Sequence, residues 1–352
     1  MENSNDLLDR LLATPARWTF AHGPDARVVH STRVRLARNL ASLPFPRRAD
    51  AGILERLKNE ARHVAAEAPL LKKMTLVDLD LLGPLDREFL VERHLISRDF
   101  AIGHGRLLVL DESENVAIMV NEEDHFRFQV LSSGMNAIEA WRVLSAIERD
   151  VDLLLDFAFR PPWGYLTSCP TNLGTGLRVS ALCHLPGLAR GQELPGVIQA
   201  ANQVGIAVRG FYGEGSESIG DFYQFSNRAS LGRTEVEFVA DLESWVRQII
   251  QREIAAREMI LEKDRVAFED RVWRARAILG AARVVSSQEM MGLLSIVRLG
   301  LDLGIIESPD LATINQLQIL AQPAHLQKLE RQALTPAERD TARARIIRER
   351  LT

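Results

Sequence analysis

Three short apolar runs, RLLVL at 106–110, VAIMVN at 116–121 and FRFQVL at 126–131, follow one another with only turn residues between them. This meander constrains the fold more than any other feature. The first two are joined by the turn signal DESEN and read as a hairpin, because connections this short allow only antiparallel pairing. The hairpin delivers Glu122 and Glu123 at a strand end, and GYLTS, LRVSALCHL, IAVRGFY and FYQFS supply further strands. Between Asn136 and Phe157, Ile138, Trp141, Leu144, Ile147, Val151 and Leu154 recur at helical spacing, predicting a long helix on the sheet. After Gly232 the texture turns helical. Thr234 with Glu237 makes a capping box ahead of the stripe Phe238, Leu242, Trp245, Ile249 and Ile250; Ser286 with Glu289, and Thr335 with Glu338, open later helices in the same way. The expected class is α+β: an antiparallel sheet flanked by helices over residues 1–255, then a helical domain over 256–352.

At 352 residues, 46% hydrophobic and 26% charged, the chain is long enough for a large domain and a smaller one. Its net charge of −4 and pI near 6.1 give no overall basic field for nucleic acid. Two cysteines, Cys169 and Cys183, cannot form a disulfide framework or a four-thiolate zinc site. The start MENSNDLLDRLL is acidic where a signal peptide is basic, and no apolar run reaches the roughly 20 residues that span a bilayer. A soluble, reduced, cytoplasmic protein is expected.

In VNEEDHFRF three consecutive acids stand between apolar runs, and their mutual repulsion needs a compensating cation. The loop Cys169-Pro-Thr-Asn-Leu-Gly-Thr-Gly-Leu-Arg178 lacks the GxxxxGK[ST] pattern. Its glycines nevertheless suit close approach of backbone N–H groups to an anion, with Arg178 able to fork onto it. Read alone, it is equally an ordinary turn. On a strand, Arg33 and Arg35 of STRVRLAR project from one face, as anion ligands or as solvated surface residues. RGFYGEGS at 209–216 reads as a mobile covering loop. Arginines and acids together suggest a polyanion beside a cation, a pair that ATP and a guanidinium would satisfy.

These segments, STRVRLARN, VNEEDHFR, LTSCPTNLGTGLR, RGFYGEGSE and SNRASLG, resemble in order the motifs of the phosphagen (guanidino) kinase family over roughly residues 28 to 250. The resemblance narrows to the bacterial protein-arginine kinases. Only some thirty residues precede STRVR, where small-molecule members carry a helical domain, and a helical region follows that ends in Arg339-Asp340-Thr341-Ala342-Arg343-Ala344, similar to the phosphoarginine-binding RDxxRA motif.

The resemblance implies a glutamine synthetase-like catalytic domain, ATP and Mg²⁺, and protein substrates. It implies that Arg33, Arg35, Arg127, Arg178 and Arg209, with Asn172, Gly174, Thr175 and Gly176, bind the nucleotide. Glu123 becomes the catalytic carboxylate, Glu122 lies near the magnesium hydration shell, Glu214 grips the guanidinium, and Cys169 matches the reactive cysteine. Arg339, Asp340 and Arg343 become phosphoarginine ligands. A homodimer, a zinc-binding activator protein and Clp-type protease machinery are implied partners, and quality-control degradation the implied use. Leu293, Leu294, Val297 and Leu301 would form the dimer stripe, unless they pack within one chain. Where creatine kinase has an arginine before LG, this chain has Ser230. His125, Asp124, Cys183 and His184 are expected to be structural. The alternatives are a small-molecule guanidino kinase and a non-catalytic phosphoarginine-binding adaptor.

Overall fold

The computed structural model describes residues 4–210 and 219–351. Its strands are β1 (Val29–Arg38), β2 (Thr75–Asp78), β3 (Leu107–Leu110), β4 (Val116–Val120), β5 (Phe126–Ser133), β6 (Phe159–Arg160), β7 (Gly164–Tyr165), β8 (Leu177–His184), β9 (Ile206–Gly210) and β10 (Phe222–Asn227). Eight of them form one antiparallel sheet in the order β2-β3-β4-β5-β1-β8-β10-β9, and β6 pairs with β7. The meander is therefore β3-β4-β5.

The helices are α1 (Ser4–Ala13), α2 (Ala51–Glu67), α3 (Pro84–Glu92), α4 (Arg98–Ile102), α5 (Ala137–Asp152), α6 (Pro186–Arg190), α7 (Leu194–Gln203), α8 (Glu235–Ala281), α9 (Ser287–Asp302), α10 (Leu311–Leu320), α11 (Pro323–Glu330) and α12 (Pro336–Leu351). Strand alternation sends Val34, Leu36, Phe128, Val130 and Val179 into a core completed by Leu144, Ile147 and Val151 of α5 and Leu242 and Val246 of α8. Ile138 and Leu154, read as part of the α5 stripe, are instead exposed, and Ala137 and Ala140 take the buried positions. The helix is rotated so that small residues approach the sheet.

The Thr234 capping box opens α8, and Ser286 caps α9 by accepting the Glu289 N–H. Residue 255 falls inside α8, whose backbone departs from helix at Asp264 (φ −158°, ψ 76°). Leu294 and Val297 are fully buried within the chain, beside Phe268, Val272, Ile314 and Ile347, and Leu293 and Leu301 pack on the same cluster. The expected dimer stripe is thus intramolecular core. The helical end also grips the sheet-bearing part. Glu92 at the end of α3 accepts the N–H groups of Ala324 and His325 at the start of α11, at 2.7 and 2.9 Å, and the His325 Nδ1–H at 2.7 Å.

Candidate active site

The face of the sheet opposite the core carries the arginines. Arg33 and Arg35 alternate on β1 with the fully buried Val34 and Leu36. Across β1 and β8, Arg35 stands directly opposite Arg178 and Arg33 opposite Ser180; Arg209 on β9 is opposite Gln224 of β10. Short side chains on the same face, Ser31, Ser180 and Ser226, leave a cavity of about 470 Å³ that Arg33, Arg35, Arg178 and Arg209 line together with His94, Ser97 and Asp99. Like charges directly opposed across strands repel. Burial, reinforced by Arg127 and Arg178, pulls Arg33 down to about 10, and burial with the same neighbours and Arg33 pulls Arg35 well below its usual value. The Nε of Arg35 is buried with no hydrogen-bond partner among the described residues. Four arginines and one carboxylate, Asp99, line this cavity, a balance of charge that suits an anion.

Arg127, on β5, links this cavity to the acids. Asn121 takes a left-handed conformation (φ 67°) and its N–H closes onto the carbonyl of His125 at 3.0 Å, so Glu122, Glu123 and Asp124 sit in a tight loop between β4 and β5. Each acid has a different environment. Glu122 is buried, takes an ion pair from Arg127 at 2.5 Å and accepts the Ser97 hydroxyl. Burial alone would raise its pKa, but Arg127, Ser97 and Arg35 hold it below the ordinary carboxylate value. Glu123 is more open, meeting Asn172 Nδ2 at 3.5 Å and Arg47 at 3.8 Å; partial burial and the charge of Asp124 raise its pKa. Asp124 is buried and accepts from Asn39 Nδ2 and the Ser168 N–H, each at 2.7 Å. The two adjacent glutamates are thus pushed in opposite directions, Glu122 down and Glu123 up.

His125 accepts the Leu40 N–H at Nδ1 (2.9 Å) and faces the Pro44 carbonyl at Nε2 (3.0 Å), which fixes it as the neutral Nε2–H tautomer. Cys183 lies in the core, where burial raises its thiol; His184, also buried, bonds Ser295 Oγ at 2.8 Å.

Cys169 is half-exposed at the head of a short 3-10 turn (Pro170–Asn172), with Sγ 3.0 Å from Thr171 Oγ1. The backbone N–H groups of Asn172, Leu173, Gly174 and Thr175 are taken up by carbonyls of Cys169, Pro170, Tyr165 and Ser230. Asn172 thus reaches the acids through its side chain. Gly174 and Gly176 have positive φ, and a Cβ on either would lie within about 2.5 Å of the Ser230 or Ala37 carbonyl. Ser230 is buried with its hydroxyl 2.8 Å from the carbonyls of both Thr171 and Leu173. It ties down the loop from behind, where an arginine would not fit.

Glu214 lies outside the described residues. In α12 the Arg343 guanidinium is buried against the carbonyls of Ala321 and Val285, both at 2.9 Å, and against Asp340, while Arg339 is half-exposed. Sequence reasoning missed Ser97, Asn39 and Arg47. The first two had a signal: Ser97 precedes a helix as a cap, and Asn39 directly follows the STRVRLAR strand.

The model of the ATP:guanido phosphotransferase C-terminal catalytic domain matches residues 56–256, and that of the protein-arginine kinase McsB C-terminal domain matches residues 265–352. Protein-arginine kinases align along nearly the whole chain. The one from Halothermothrix orenii is 43% identical over 347 residues, 98% of each chain; that from Symbiobacterium thermophilum is 45% identical over 352 residues, 99% of each. The Bacillus subtilis protein-arginine kinase is 41% identical over 338 residues, 95% of this chain and 93% of that one.

The chain belongs to the protein-arginine kinase family.

Solved structures of guanidino kinases share the architecture of this protein-arginine kinase family member. The duplicated taurocyamine kinase of Schistosoma mansoni matches with a TM-score of 0.59 and 25% identity, over 76% of this chain and 40% of that one. A lombricine kinase matches with a TM-score of 0.58 and 25% identity, over 70% and 71%. As a protein-arginine kinase family member the chain is a phosphotransferase that uses ATP. No helix among its described residues is long and apolar enough to cross a membrane.

Proposed function

We propose that the chain transfers the γ-phosphoryl group of ATP to arginine side chains of other proteins. The opposed pair Arg35 and Arg178, in a cavity that Arg127 connects to the acid loop, supports this reading most directly. Arg33, Arg35, Arg178 and Arg209 would hold the phosphates, with Arg127 at the boundary between phosphates and acceptor. Mg²⁺ arriving with the nucleotide would neutralise charge on the phosphoryl oxygens, with Glu122, already paired to Arg127, acting nearby through water.

A guanidinium stays protonated at any physiological pH, so its nitrogens have no free lone pair. Glu123 would align one nitrogen and accept its proton as the N–P bond forms, a role its raised pKa suits. Glu214 would hold the far side of the guanidinium, and Cys169, within the same loop as Asn172, would border it. Residues 1–255 would form the catalytic part. Residues 256–352 would carry dimerisation and, through Arg339 and Asp340 with Arg343 as their buried support, phosphoarginine recognition. Marking of cytoplasmic proteins for Clp-type degradation, under a zinc-binding activator, completes the proposal.

The test is to incubate the protein with ATP and Mg²⁺ and either free arginine or an unfolded protein. Acid-labile phosphate on the protein supports this reading; phosphate on free arginine alone assigns a small-molecule kinase instead. Loss of both with phosphoarginine binding retained would make the chain an adaptor.

A further inference from the structure

Two segments tied to the acid loop present arginines to solvent. The first is a short 3-10 turn (Pro46–Arg48). Nε2 of His125 donates to the Pro44 carbonyl at 3.0 Å and Phe45 packs edge-on to the His125 ring, which holds this turn beside the acids. The second is the β6-β7 hairpin, whose two feet hang on one asparagine. The Asn39 carbonyl accepts the Ala158 N–H at 2.7 Å, and its Nδ2 donates to the Leu166 carbonyl at 3.1 Å and to Asp124 at 2.7 Å. Arg47, on the turn, is 76% exposed and brings Nη2 within 3.8 Å of Oε1 of Glu123. Arg48 beside it and Arg160 on β6 are exposed too, and neither has an ion-pair partner among the described residues. None of the three lines the arginine cavity.

The acid loop is thus an acidic centre with a basic margin. Arg127 takes Glu122, and Asn39 and Ser168 take Asp124, which leaves Glu123 for a guanidinium. We propose that Arg47, Arg48 and Arg160 are specificity-determining residues that select, among the arginines of a protein substrate, those with acidic neighbours. The inference rests on the reading of Glu123 given above. A guanidinium that settles on Glu123 displaces Arg47, whose backbone stays where His125 holds it. Carboxylates on either side of the acceptor then compensate the displaced arginine and the two unpaired ones, whereas lysines there are repelled. An acceptor with neutral neighbours leaves Arg47 without a counter-ion. The selection acts on the acceptor and not on ATP.

The experiment gives the full-length protein Mg²⁺-ATP and three blocked peptides of equal length, each with one arginine flanked by glutamates, serines or lysines. The glutamate-flanked peptide should show a kcat/KM about fivefold above the serine-flanked one, the upper end for exposed ion pairs, with the lysine-flanked peptide lowest. High salt should narrow the spread. R47E/R48E should reverse the order, and R160E, altered on the other segment, should narrow it. Equal rates on the three peptides with the wild-type chain would overturn the inference and leave the site reading standing. So would an order and spread unchanged by the substitutions; if circular dichroism shows R47E/R48E unfolded, R160E alone decides. Phosphate on no peptide would overturn the site reading and this inference together.

Discussion

Arg127 pairs with Glu122 at 2.5 Å and thereby separates the fates of two neighbouring glutamates. Glu122 is committed as an anion, and Glu123 is left with a raised pKa and access to solvent. Glu123→Gln should lower kcat by ~10²–10⁴, the usual worth of a positioned base, and leave the Kd for ATP nearly unchanged. In the wild-type enzyme the acid limb of kcat should lie above the usual ~4.3 of a glutamate, because the base must be ionised. Near-normal turnover by the glutamine variant would remove Glu123 from the chemistry.

Arg178→Ala should weaken ATP binding as well as turnover. A hydrogen bond to a charged group contributes ~1.5–3 kcal/mol, so calorimetry should show a Kd about 10- to 100-fold higher. An unchanged Kd would mean that the Arg35–Arg178 pair does not meet the phosphates of bound ATP.

Ser230→Ala should destabilise the chain by on the order of 1–3 kcal/mol, because it removes the donor facing two loop carbonyls. Turnover should fall more than ATP affinity, since the loop presents Asn172 to Glu123. Denaturant titration and steady-state kinetics check the two halves separately. A variant as stable and active as wild type would show that the loop keeps its shape without this tether.

Acid should unfold the protein through its buried histidines. Burial, with Arg298 and Arg257, holds His184 well below its usual value, and burial first of all does the same to His30 and His325. The unfolded chain takes up these protons near pH 6.5 and the folded chain resists them. Stability is therefore full above about pH 6.5 and lost as pH falls below it. His184→Gln should flatten part of that slope in urea titrations run from pH 7 to 5. An unaltered slope would assign acid sensitivity to other groups.

Much of this site was legible because its chemistry is periodic or contiguous. The alternation of Arg33 and Arg35, the acid run before Arg127 and the caps at Thr234 and Ser286 are local patterns that survive into the fold. What escaped was set by tertiary contact. No sequence spacing brings Arg47 to Glu123, or shows that Arg343 is wrapped by the Ala321 and Val285 carbonyls. The Leu293–Leu301 stripe illustrates the same limit: helical periodicity reveals an apolar face but not what covers it, and here other helices of the chain do.

Inside α8, Glu253 and Arg257 are one helical turn apart and both buried, joined at 2.7 Å. Glu253 also holds the N–H groups of Gly187 and Leu188, while Arg257 holds the carbonyls of Arg27 and His184 and the carboxylate of Asp302. A protease cut at residue 255 would sever this node, stranding a carboxylate in the sheet-bearing fragment and a guanidinium in the helical one. Breaking a buried pair in this way costs ~3–5 kcal/mol, because Glu253 is left without its counterpart, while Arg257 keeps Asp302. Gene fission or domain exchange at that point would therefore break this pair, and a crossover placed beyond Arg257 keeps Glu253 and Arg257 in one piece.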